Sequence, residues 1–345
     1  MSLTELKSGL LYVVVFGPGF GESIVLRSPE DKWLIVDSCE KDGRVPAVEL
    51  LDHHNATWDC AVLTHPHVDH GMGFDEIINK PGSGPIGCSH PEIVAPEIWY
   101  RTDDDRERLI SGKLEATISA IQQRWGNNDR ERWAMRRGDS REIGDVRLTV
   151  LHPDDAALES HVSDFNRISS PILVEWRDSR ILLGADLISV DWDALPDEFE
   201  FLHDHHLLKM PHHGSSGSTS ERYGHDSRRG SCWIYTHSTR GHKLPRFEQG
   251  HGVEWALERV NAVHLTSLPD GRRDDVEEHL TVSREQLLED KGIAEPALPS
   301  VGGVEIESVD RDEPTEEFRY YVAAGFESTG ELAELIHGTG SITIT

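Results

Sequence analysis

The sequence predicts an α/β protein, in which short strands alternate with helices. Short runs of β-branched and apolar residues are bounded by Gly, Pro or Asp, which is typical of strands. Between several of these runs, apolar residues recur at helical spacing. The length of 345 residues leaves room for one or two domains with a sizeable core. With 9 Trp, 9 Phe and 6 Tyr, the chain is too rich in aromatic residues for a disordered polymer.

The strand patterns start close to the N-terminus and resume after a charged segment. The first predicted strands are Leu11 to Phe16, Ser23 to Arg27, Trp33 to Asp37 and Cys60 to Leu63, with a short helix over Val45 to His53. The charged, Gln-rich segment 90–141 has apolar residues at helical spacing, which predicts a helical insertion. Later strands are predicted at Val146 to Leu151, Ile172 to Trp176, Ile181 to Leu183, Leu207 to Met210, Trp233 to Thr236 and Ala262 to Thr266, with a helix over Phe247 to Val260.

These patterns divide the chain into a core and a late segment of different composition. Residues 1–267 are predicted to form the core, including the helical insertion. Segment 268–337 is acidic and rich in Pro, so we expect an insertion or appendage, and we expect any protein partner to bind there. It contains a predicted helix near Val282 to Glu289 and a predicted strand over Phe318 to Ala323. Residues 338–345 alternate in polarity, which predicts a final strand that returns to the core.

The charge and the cysteines restrict the partners and the compartment. The 62 acidic and 34 basic residues give a net charge of −28, which argues against general coating of nucleic acid and leaves adaptation to high salt as a second interpretation. No run of about 18 apolar residues and no signal-peptide cleavage pattern occur, so we expect no membrane association and a cytoplasmic protein. The four cysteines show no paired spacing, which predicts buried free thiols in a reducing compartment.

The strongest motif follows the strand Cys60 to Leu63. The segment His65-Pro-His67-Val-Asp69-His70 places three His and one Asp within six residues at the end of that strand. Imidazoles two residues apart on an extended chain can share one divalent cation, and the Asp and the next His can reach a second one. Histidines in protein cores are usually solitary, so chance clustering is the weaker explanation.

This motif, preceded by the strands and by the stretch Leu34 to Asp37, resembles the metallo-β-lactamase superfamily. The segments Ile181 to Asp186 and Leu207 to Ser215 resemble the parts of that superfamily that supply a bridging Asp and the last His ligand. The resemblance implies a four-layer αββα sandwich and two divalent metal ions, with Zn²⁺ expected and Mn²⁺ as the alternative. It also implies the ligands: His65, His67 and Asp186 for one metal, and Asp69, His70, Asp186 and His213 for the other.

Within the superfamily, the sequence is most similar to the metallo-β-lactamase domain of competence DNA-uptake proteins, the ComEC-like proteins. The similarity covers His152-Pro153, the segment Asn166 to Ser169 and the two ligand segments, in the same order and spacing. Many superfamily members have a His ligand in the region where this chain has Asn166. His152 and His161 lie nearby in sequence, so they stay open as substitutes, although a His-Pro pair is typical of a turn that ends a strand.

The resemblance implies a dinuclear hydrolase in which a metal-bridging hydroxide attacks phosphorus or a carbonyl carbon. The expected reaction is that of a phosphodiesterase or nuclease. The alternatives are an ester, lactone or thioester hydrolase, including a phosphorylcholine esterase, with an apolar pocket near Trp99 and Trp192, or a subunit that binds a partner protein.

Roles follow for residues next to the ligands. Asp69 is expected to orient the nucleophile, and His212 and His242 to act in proton transfer, with support of the metals as a second interpretation for His212. The substrate-binding residues are expected to be Asn166, Ser215, Arg240 and Lys243. Arg240, His242 and Lys243 form a local cationic cluster on an acidic chain, which favours a phosphate there.

Two further segments mimic functional motifs. His203 to His206 is rich in His, and we interpret it as a polar turn. Gly17 to Gly21 resembles a phosphate-binding loop, but it lacks the Gly-Lys-Ser/Thr ending and joins two predicted strands. We therefore interpret it as a hairpin turn beside the site.

Overall fold

The structure, a computed structural model, describes residues 3–90, 111–128, 130–161, 164–225, 230–238, 244–245, 252–267, 306–308, 318–338 and 341–344. Within these ranges the chain forms two β-sheets with helices beside them. The strands are β1 (Leu11–Phe16), β2 (Ser23–Arg27), β3 (Trp33–Val36), β4 (Cys60–Leu63), β5 (Ile86–Cys88), β6 (Arg132–Ala134), β7 (Ser140–Ile143), β8 (Val146–Val150), β9 (Ile172–Trp176), β10 (Ser179–Leu183), β11 (Leu207–Lys209), β12 (Cys232–Tyr235), β13 (Val263–Leu265), β14 (Ile306–Ser308), β15 (Tyr321–Phe326), β16 (Leu332–His337) and β17 (Ile342–Ile344).

The helices connect these strands on the outer sides of the sheets. They are α1 (Pro46–His53), α2 (Val68–Gly71), α3 (Phe74–Asn79), α4 (Glu115–Asn127), α5 (Asp155–His161), α6 (Ser189–Asp193), α7 (Glu221–Gly224) and α8 (Gly252–Leu257). Short 3-10 helices cover Leu3–Glu5, Gly112–Leu114, Asn166–Ile168, Asp197–His203 and Pro211–Gly214. Among the described helices, none is long and apolar enough to cross a lipid bilayer.

Each sheet combines antiparallel outer strands with a parallel block. The first sheet has the order β16-β15-β1-β2-β3-β4-β5-β6, and β3 to β6 run parallel. The second has the order β14-β17-β13-β12-β11-β10-β9-β8-β7, and β10 to β13 run parallel. Strands joined in parallel need crossover connections, which bring the carboxyl ends of the parallel strands to one edge.

Three hydrophobic clusters show how the layers pack. One cluster joins an outer face of the first sheet to α1, α3 and α4. A second lies between the sheets, where residues such as Val13 and Val62 of the first sheet share a core with Val174 and Ile234 of the second. A third joins the other face of the second sheet to α6, α7 and α8. Because side chains alternate across a strand, each sheet contributes side chains to two of these clusters, one on each face. The predicted four-layer αββα sandwich is therefore confirmed.

Most predicted strands form within one or two residues of their expected bounds. The segment 90–141 contains helix α4, but it also supplies β6 to the first sheet and β7 to the second. Of segment 268–337, the described parts contribute β14 to the second sheet and β15 and β16 to the first, where β15 pairs with β1. The predicted helix near 282–289 lies outside the described residues. The four cysteines are buried free thiols, as predicted.

Candidate metal centre

The candidate site lies where the parallel strands of both sheets end. His65 and His67 follow β4, Asp186 follows β10, and His213 follows β11. These strands belong to the parallel blocks of the two sheets, so their carboxyl ends face the same edge of the sandwich. Crevices at the carboxyl ends of parallel strands are the usual ligand sites of α/β proteins.

Asp186 lies at the centre of the cluster. Its Oδ2 is 3.7 Å from His65 Nε2, and its Oδ1 is 3.3 Å from His70 Nε2 and 3.9 Å from His213 Nε2. Asp69 approaches from the other side, with Oδ2 3.7 Å from His213 Nε2. The structure thus brings together five of the predicted ligands, Asp186 and four others around it.

The sixth predicted ligand, His67, lies beside His65. His67 Nδ1 is 3.0 Å from His65 Nε2, and the two rings meet edge to face with centroids 4.6 Å apart. A cation at the usual 2.0–2.1 Å from imidazole nitrogen can contact both of these atoms at once. Phe165 packs edge-on against His67, with ring centroids 5.5 Å apart, and covers this side of the pair.

Asp37 holds two of the histidines in place. Its carboxylate accepts hydrogen bonds from the backbone N–H of Thr64 (2.7 Å), from Thr64 Oγ1 (2.7 Å) and from His70 Nδ1 (2.8 Å). Because the single hydroxyl proton of Thr64 goes to Asp37, its Oγ1 accepts from His65 Nδ1 (3.1 Å). His65 therefore carries its proton on Nδ1, and the Nε2 atoms of both rings face Asp186.

A second buried carboxylate, Glu22, lies behind His213, as Asp37 lies behind His65 and His70. Thr236 Oγ1 donates to Glu22 Oε2 (2.8 Å) and is 2.7 Å from His213 Nδ1. Lys209, fully buried on β11, forms an ion pair with the same carboxylate. The sequence analysis missed Glu22, Lys209 and Thr236. The one signal was a Lys between apolar residues in a buried strand, which requires a partner of opposite charge.

His212 makes different contacts from its neighbour His213. Asn166 Nδ2 donates to His212 Nε2 (3.2 Å), so the ring proton lies on Nδ1 and is donated to Ser215 Oγ (3.1 Å). His212 and His213 both have positive φ angles, 45° and 51°, in the turn that directs their rings apart. The structure thus places three predicted residues, Asn166, His212 and Ser215, in one hydrogen-bonded group.

The residues at the centre fit divalent cations. The buried atoms His70 Nε2, His213 Nε2 and Asp186 Oδ1 have no hydrogen-bond partner among the described residues. Buried polar atoms are rarely left without a partner, so these three indicate a missing ligand. His65, His70 and Asp186 form one group whose ligand atoms lie within 4.8 Å of one another. Imidazole nitrogen and carboxylate oxygen are suitable ligands for Zn²⁺, and carboxylate oxygen also for Mn²⁺.

The electrostatics of the cluster favour the same occupant. Burial lowers the pKa of His65 and of His67, which keeps both rings in the neutral form that binds metals. Burial opposes ionisation of Asp186, but His70, His212 and His213 outweigh it and hold its pKa well below the usual value. Burial likewise disfavours the charged form of His70, yet the surrounding carboxylates raise its pKa well above normal. The carboxylates of Asp186, Glu22 and Asp37 thus stabilise positive charge at this place, which is the charge that a metal cation would supply.

The remaining predicted residues either fall outside the described part of the chain or are described away from the cluster. Arg240, His242 and Lys243 fall outside the described residues, and so does Trp99. Trp192 is fully buried against Tyr223 in the outer cluster of the second sheet, so it does not line a pocket at the metal centre. Nε2 of His152 contacts the backbone carbonyl of Arg167 (2.9 Å) and does not point at the cluster.

The glycine-rich segment is the hairpin turn that the sequence predicted. It joins the antiparallel strands β1 and β2 and lies against the metal-ligand loop. Gly21 has a φ of 84°, and a Cβ there would lie 2.7 Å from the backbone oxygen of Asp69. The next residue, Glu22, donates its backbone N–H to that same oxygen (2.9 Å). Glycine is therefore required for the turn to approach the site.

Comparison with known proteins gives distant structural similarity. No family model and no curated protein matches the chain. A protein of unknown function from Enterococcus faecalis is 16% identical over 58% of this chain and 49% of its own, with a TM-score of 0.34. A motif mutant of a metallo-β-lactamase from Cronobacter sakazakii is 15% identical over 53% of this chain and 64% of its own, with a TM-score of 0.35.

A third similar structure covers more of the chain. The metallo-β-lactamase fold protein YhfI from Bacillus subtilis is 14% identical over 72% of this chain and 90% of its own, with a TM-score of 0.38. This chain spans about half of the Enterococcus protein and 64% of the Cronobacter enzyme. The assignment of a function therefore depends on the residues of the site.

Proposed function

We propose that the protein is a metal-dependent hydrolase with a dinuclear centre formed by His65, His67, Asp69, His70, Asp186 and His213. The observation that carries this proposal is the set of buried, unpartnered ligand atoms around Asp186. Two divalent cations bound there would supply an activated water and stabilise negative charge on the reacting group. Zn²⁺ is the expected metal, with Mn²⁺ as the alternative.

Asp69 has the properties of a residue that orients the attacking water. It lies at the rim of the cluster, with a side chain 20% exposed, so it contacts both the ligands and the open side. Burial opposes its ionisation, but His213 and His70 hold the pKa of its carboxyl well below the usual value. Asp69 is therefore ionised at neutral pH and acts as a hydrogen-bond acceptor.

The group Asn166, His212 and Ser215 is proposed to bind the substrate next to the metals. Burial lowers the pKa of His212, so the ring is neutral at pH 7 and both of its nitrogens are engaged. In this state His212 positions Asn166 and Ser215, whose amide and hydroxyl groups can bind an oxygen of a substrate. A role of His212 as a proton donor requires that its bond to Asn166 breaks when substrate binds.

We further propose a phosphodiester as the substrate, which makes the protein a phosphodiesterase or nuclease. Support comes from the similarity of residues 152–215 to ComEC-like domains, and from the cationic residues Arg240 and Lys243 in a strongly acidic chain. A net charge of −28 favours short substrates over long strands, because general attraction to polyanions is absent. A cytoplasmic location and a protein partner that binds segment 268–337 stay predictions from the sequence.

The test combines metal analysis with a panel of substrates. Purified protein is expected to contain zinc or manganese and to hydrolyse bis-p-nitrophenyl phosphate or short single-stranded DNA. Chelation should abolish this activity, and addition of either metal should restore it. Hydrolysis of an aryl ester alone would remove the phosphodiester proposal, and protein that binds no divalent metal would remove the hydrolase proposal.

A further inference from the structure

Two buried threonines occupy equivalent positions in the two sheets. Thr64 directly follows β4 in the first sheet, and Thr236 directly follows β12 in the second. Each hydroxyl lies between a buried carboxylate and the Nδ1 atom of a histidine at the metal centre. Thr64 connects Asp37 to His65, and Thr236 connects Glu22 to His213.

The direction of the hydrogen bonds in the second group follows from counting protons. A hydroxyl has one proton, and an ionised carboxylate only accepts. Thr236 therefore donates to Glu22 (2.8 Å) and accepts from His213 Nδ1 (2.7 Å). His213 then has its ring proton on Nδ1, which leaves a lone pair on Nε2, 3.7 Å from Asp69 Oδ2 and 3.9 Å from Asp186 Oδ1.

Lys209 keeps Glu22 in the accepting role. Its ammonium group, with no exposed surface, forms an ion pair with the Glu22 carboxylate. An ammonium group has donors and no acceptor, so the Glu22 Oε2 atom beside it acts as an acceptor. Glu22 also donates its backbone N–H to the backbone oxygen of Asp69. One residue therefore connects the β1–β2 turn, the ligand loop and the second sheet.

A different interpretation would make Glu22 itself a metal ligand, since Glu22, His70 and His213 also have candidate ligand atoms close together. The geometry disfavours this. The ring atoms nearest to Glu22 are the Nδ1 atoms of His70 (3.8 Å) and His213 (3.4 Å), which already bond to Asp37 and Thr236. The place of a cation beside Glu22 is occupied by the ammonium group of Lys209.

We infer that Glu22, Thr236 and Lys209 are positioning residues of the metal centre: they fix the tautomer of His213 so that Nε2 faces the metal. The inference rests on the proposed metal centre, but the hydrogen bonds that fix the tautomer are present in the metal-free protein as well. Asp37 and Thr64 likewise orient the rings of His70 and His65 through hydrogen bonds at Nδ1.

The first experiment compares hydroxyl variants of the full-length protein. Thr236→Val removes the hydroxyl at nearly constant shape, and Thr236→Ser keeps it. Thr266→Val is the matched control, because Thr266 is also buried and its hydroxyl donates to the backbone oxygen of Gly17 (2.9 Å) and not to a carboxylate among the described residues. Zn²⁺ affinity is measured by competition with a chromophoric chelator. The tautomer of His213 in metal-free protein is measured from ring ¹⁵N shifts, assigned with His213→Asn.

We expect Thr236→Val to weaken Zn²⁺ binding by about 10- to 100-fold, the usual effect of losing a residue that orients a ligand. Its His213 ring should populate both tautomers, whereas Thr236→Ser and Thr266→Val should behave as the parent protein. Equal weakening in Thr266→Val would reduce the role of Thr236 to packing and overturn the inference. If Thr236→Val does not fold, Thr236→Ala takes its place in the same comparison.

The double variant Glu22→Gln with Lys209→Met gives the sharpest result. The ammonium group of Lys209 faces the same Oε2 atom that accepts from Thr236, so only without it can the amide nitrogen take that place and donate to Thr236 Oγ1. The Thr236 hydroxyl would then donate to His213 Nδ1, and the ring proton would move to Nε2, where it blocks the metal. An unchanged tautomer in this double variant and in Thr236→Val overturns this inference alone. A parent protein with the Nδ1–H tautomer that binds neither Zn²⁺ nor Mn²⁺ overturns the proposed function instead.

Discussion

The two halves of the metal centre are built from the chain in different ways. The first-sheet half consists of Asp37 and the segment 64–70, which follow the neighbouring parallel strands β3 and β4. The second-sheet half consists of Asp186, Lys209, His213 and Thr236, which follow or lie on three strands, and Glu22, which reaches across from the first sheet. The first half is a local motif, and the second exists only in the folded protein.

The halves also differ in how they stabilise a buried carboxylate. Asp37 accepts three hydrogen bonds, two from Thr64 and one from His70, and forms no ion pair with a Lys or Arg in the part of the chain that the structure describes. Burial raises the pKa of Asp37. Glu22 has the ammonium group of Lys209 beside it. One carboxylate thus depends on hydrogen bonds and the other on an opposite charge.

Asp186 is the residue that the two halves share, so its loss should have the largest effect. Asp186→Ala is expected to abolish activity and to lower the metal content of both sites, because its oxygens face His65, His70 and His213. Metal content is measured by mass spectrometry on purified protein. Asp204→Ala is the control, since Asp204 pairs with Arg180 away from the cluster. Full activity in Asp186→Ala would contradict the ligand assignment.

Removal of one ligand from each half should separate the sites. His67→Ala should remove the metal assigned to His65, His67 and Asp186. His213→Ala should remove the metal assigned to Asp69, His70, Asp186 and His213, so each variant should retain about one metal per chain if the centre is dinuclear. Titration with Zn²⁺ counts the sites. A loss of both metals in either variant would show that the two metals do not bind independently of each other.

The sequence predicted the first half well because its information is local. The strand before His65 and the spacing of the three His and the Asp can be read from one continuous segment, Cys60 to His70. The αββα architecture and the positions of Asp186 and His213 came from a resemblance, since nothing within those segments alone identifies their partners. The structure places His65, His70 and His213 around Asp186, and the metal ligation that the resemblance implies stays a prediction.

The sequence did not reveal Glu22, Lys209 and Thr236, because contact between them depends on how the two sheets pack. Glu22 is 187 positions from Lys209, and each stands in a segment with an ordinary local explanation, a turn end and a strand. The positions of strands β15 and β16 in the first sheet could not be predicted from the sequence for the same reason. A strand was predicted near Phe318, but its pairing with β1 depends on the return of the chain to the first sheet.

The charge pair in the second half predicts a loss of stability that the first half cannot show. Lys209→Met leaves the buried carboxylate of Glu22 without its counter-charge, which should cost about 3–5 kcal/mol in the free energy of unfolding. The double variant Glu22→Gln with Lys209→Met should recover much of this loss, because no unpaired charge is left. Urea unfolding of the metal-free protein measures both. Equal losses in the single and double variants would show that the charge of Glu22 is not the cause.

The smallest expected effect lies beside the two halves, at the group Asn166, His212 and Ser215. Asn166→Ala removes the hydrogen bond to His212 Nε2 but no proposed ligand, so metal content should stay unchanged. The loss of one hydrogen bond corresponds to about 0.5–1.5 kcal/mol, or roughly a 2- to 13-fold decrease in kcat/KM for a phosphodiester. Ser215→Ala should give a similar decrease through the other ring nitrogen of His212. If Asn166→Ala instead loses metal, Asn166 is itself a ligand of the metal assigned to His65 and His67. The ligand atom would be its buried Oδ1, which has no partner among the described residues.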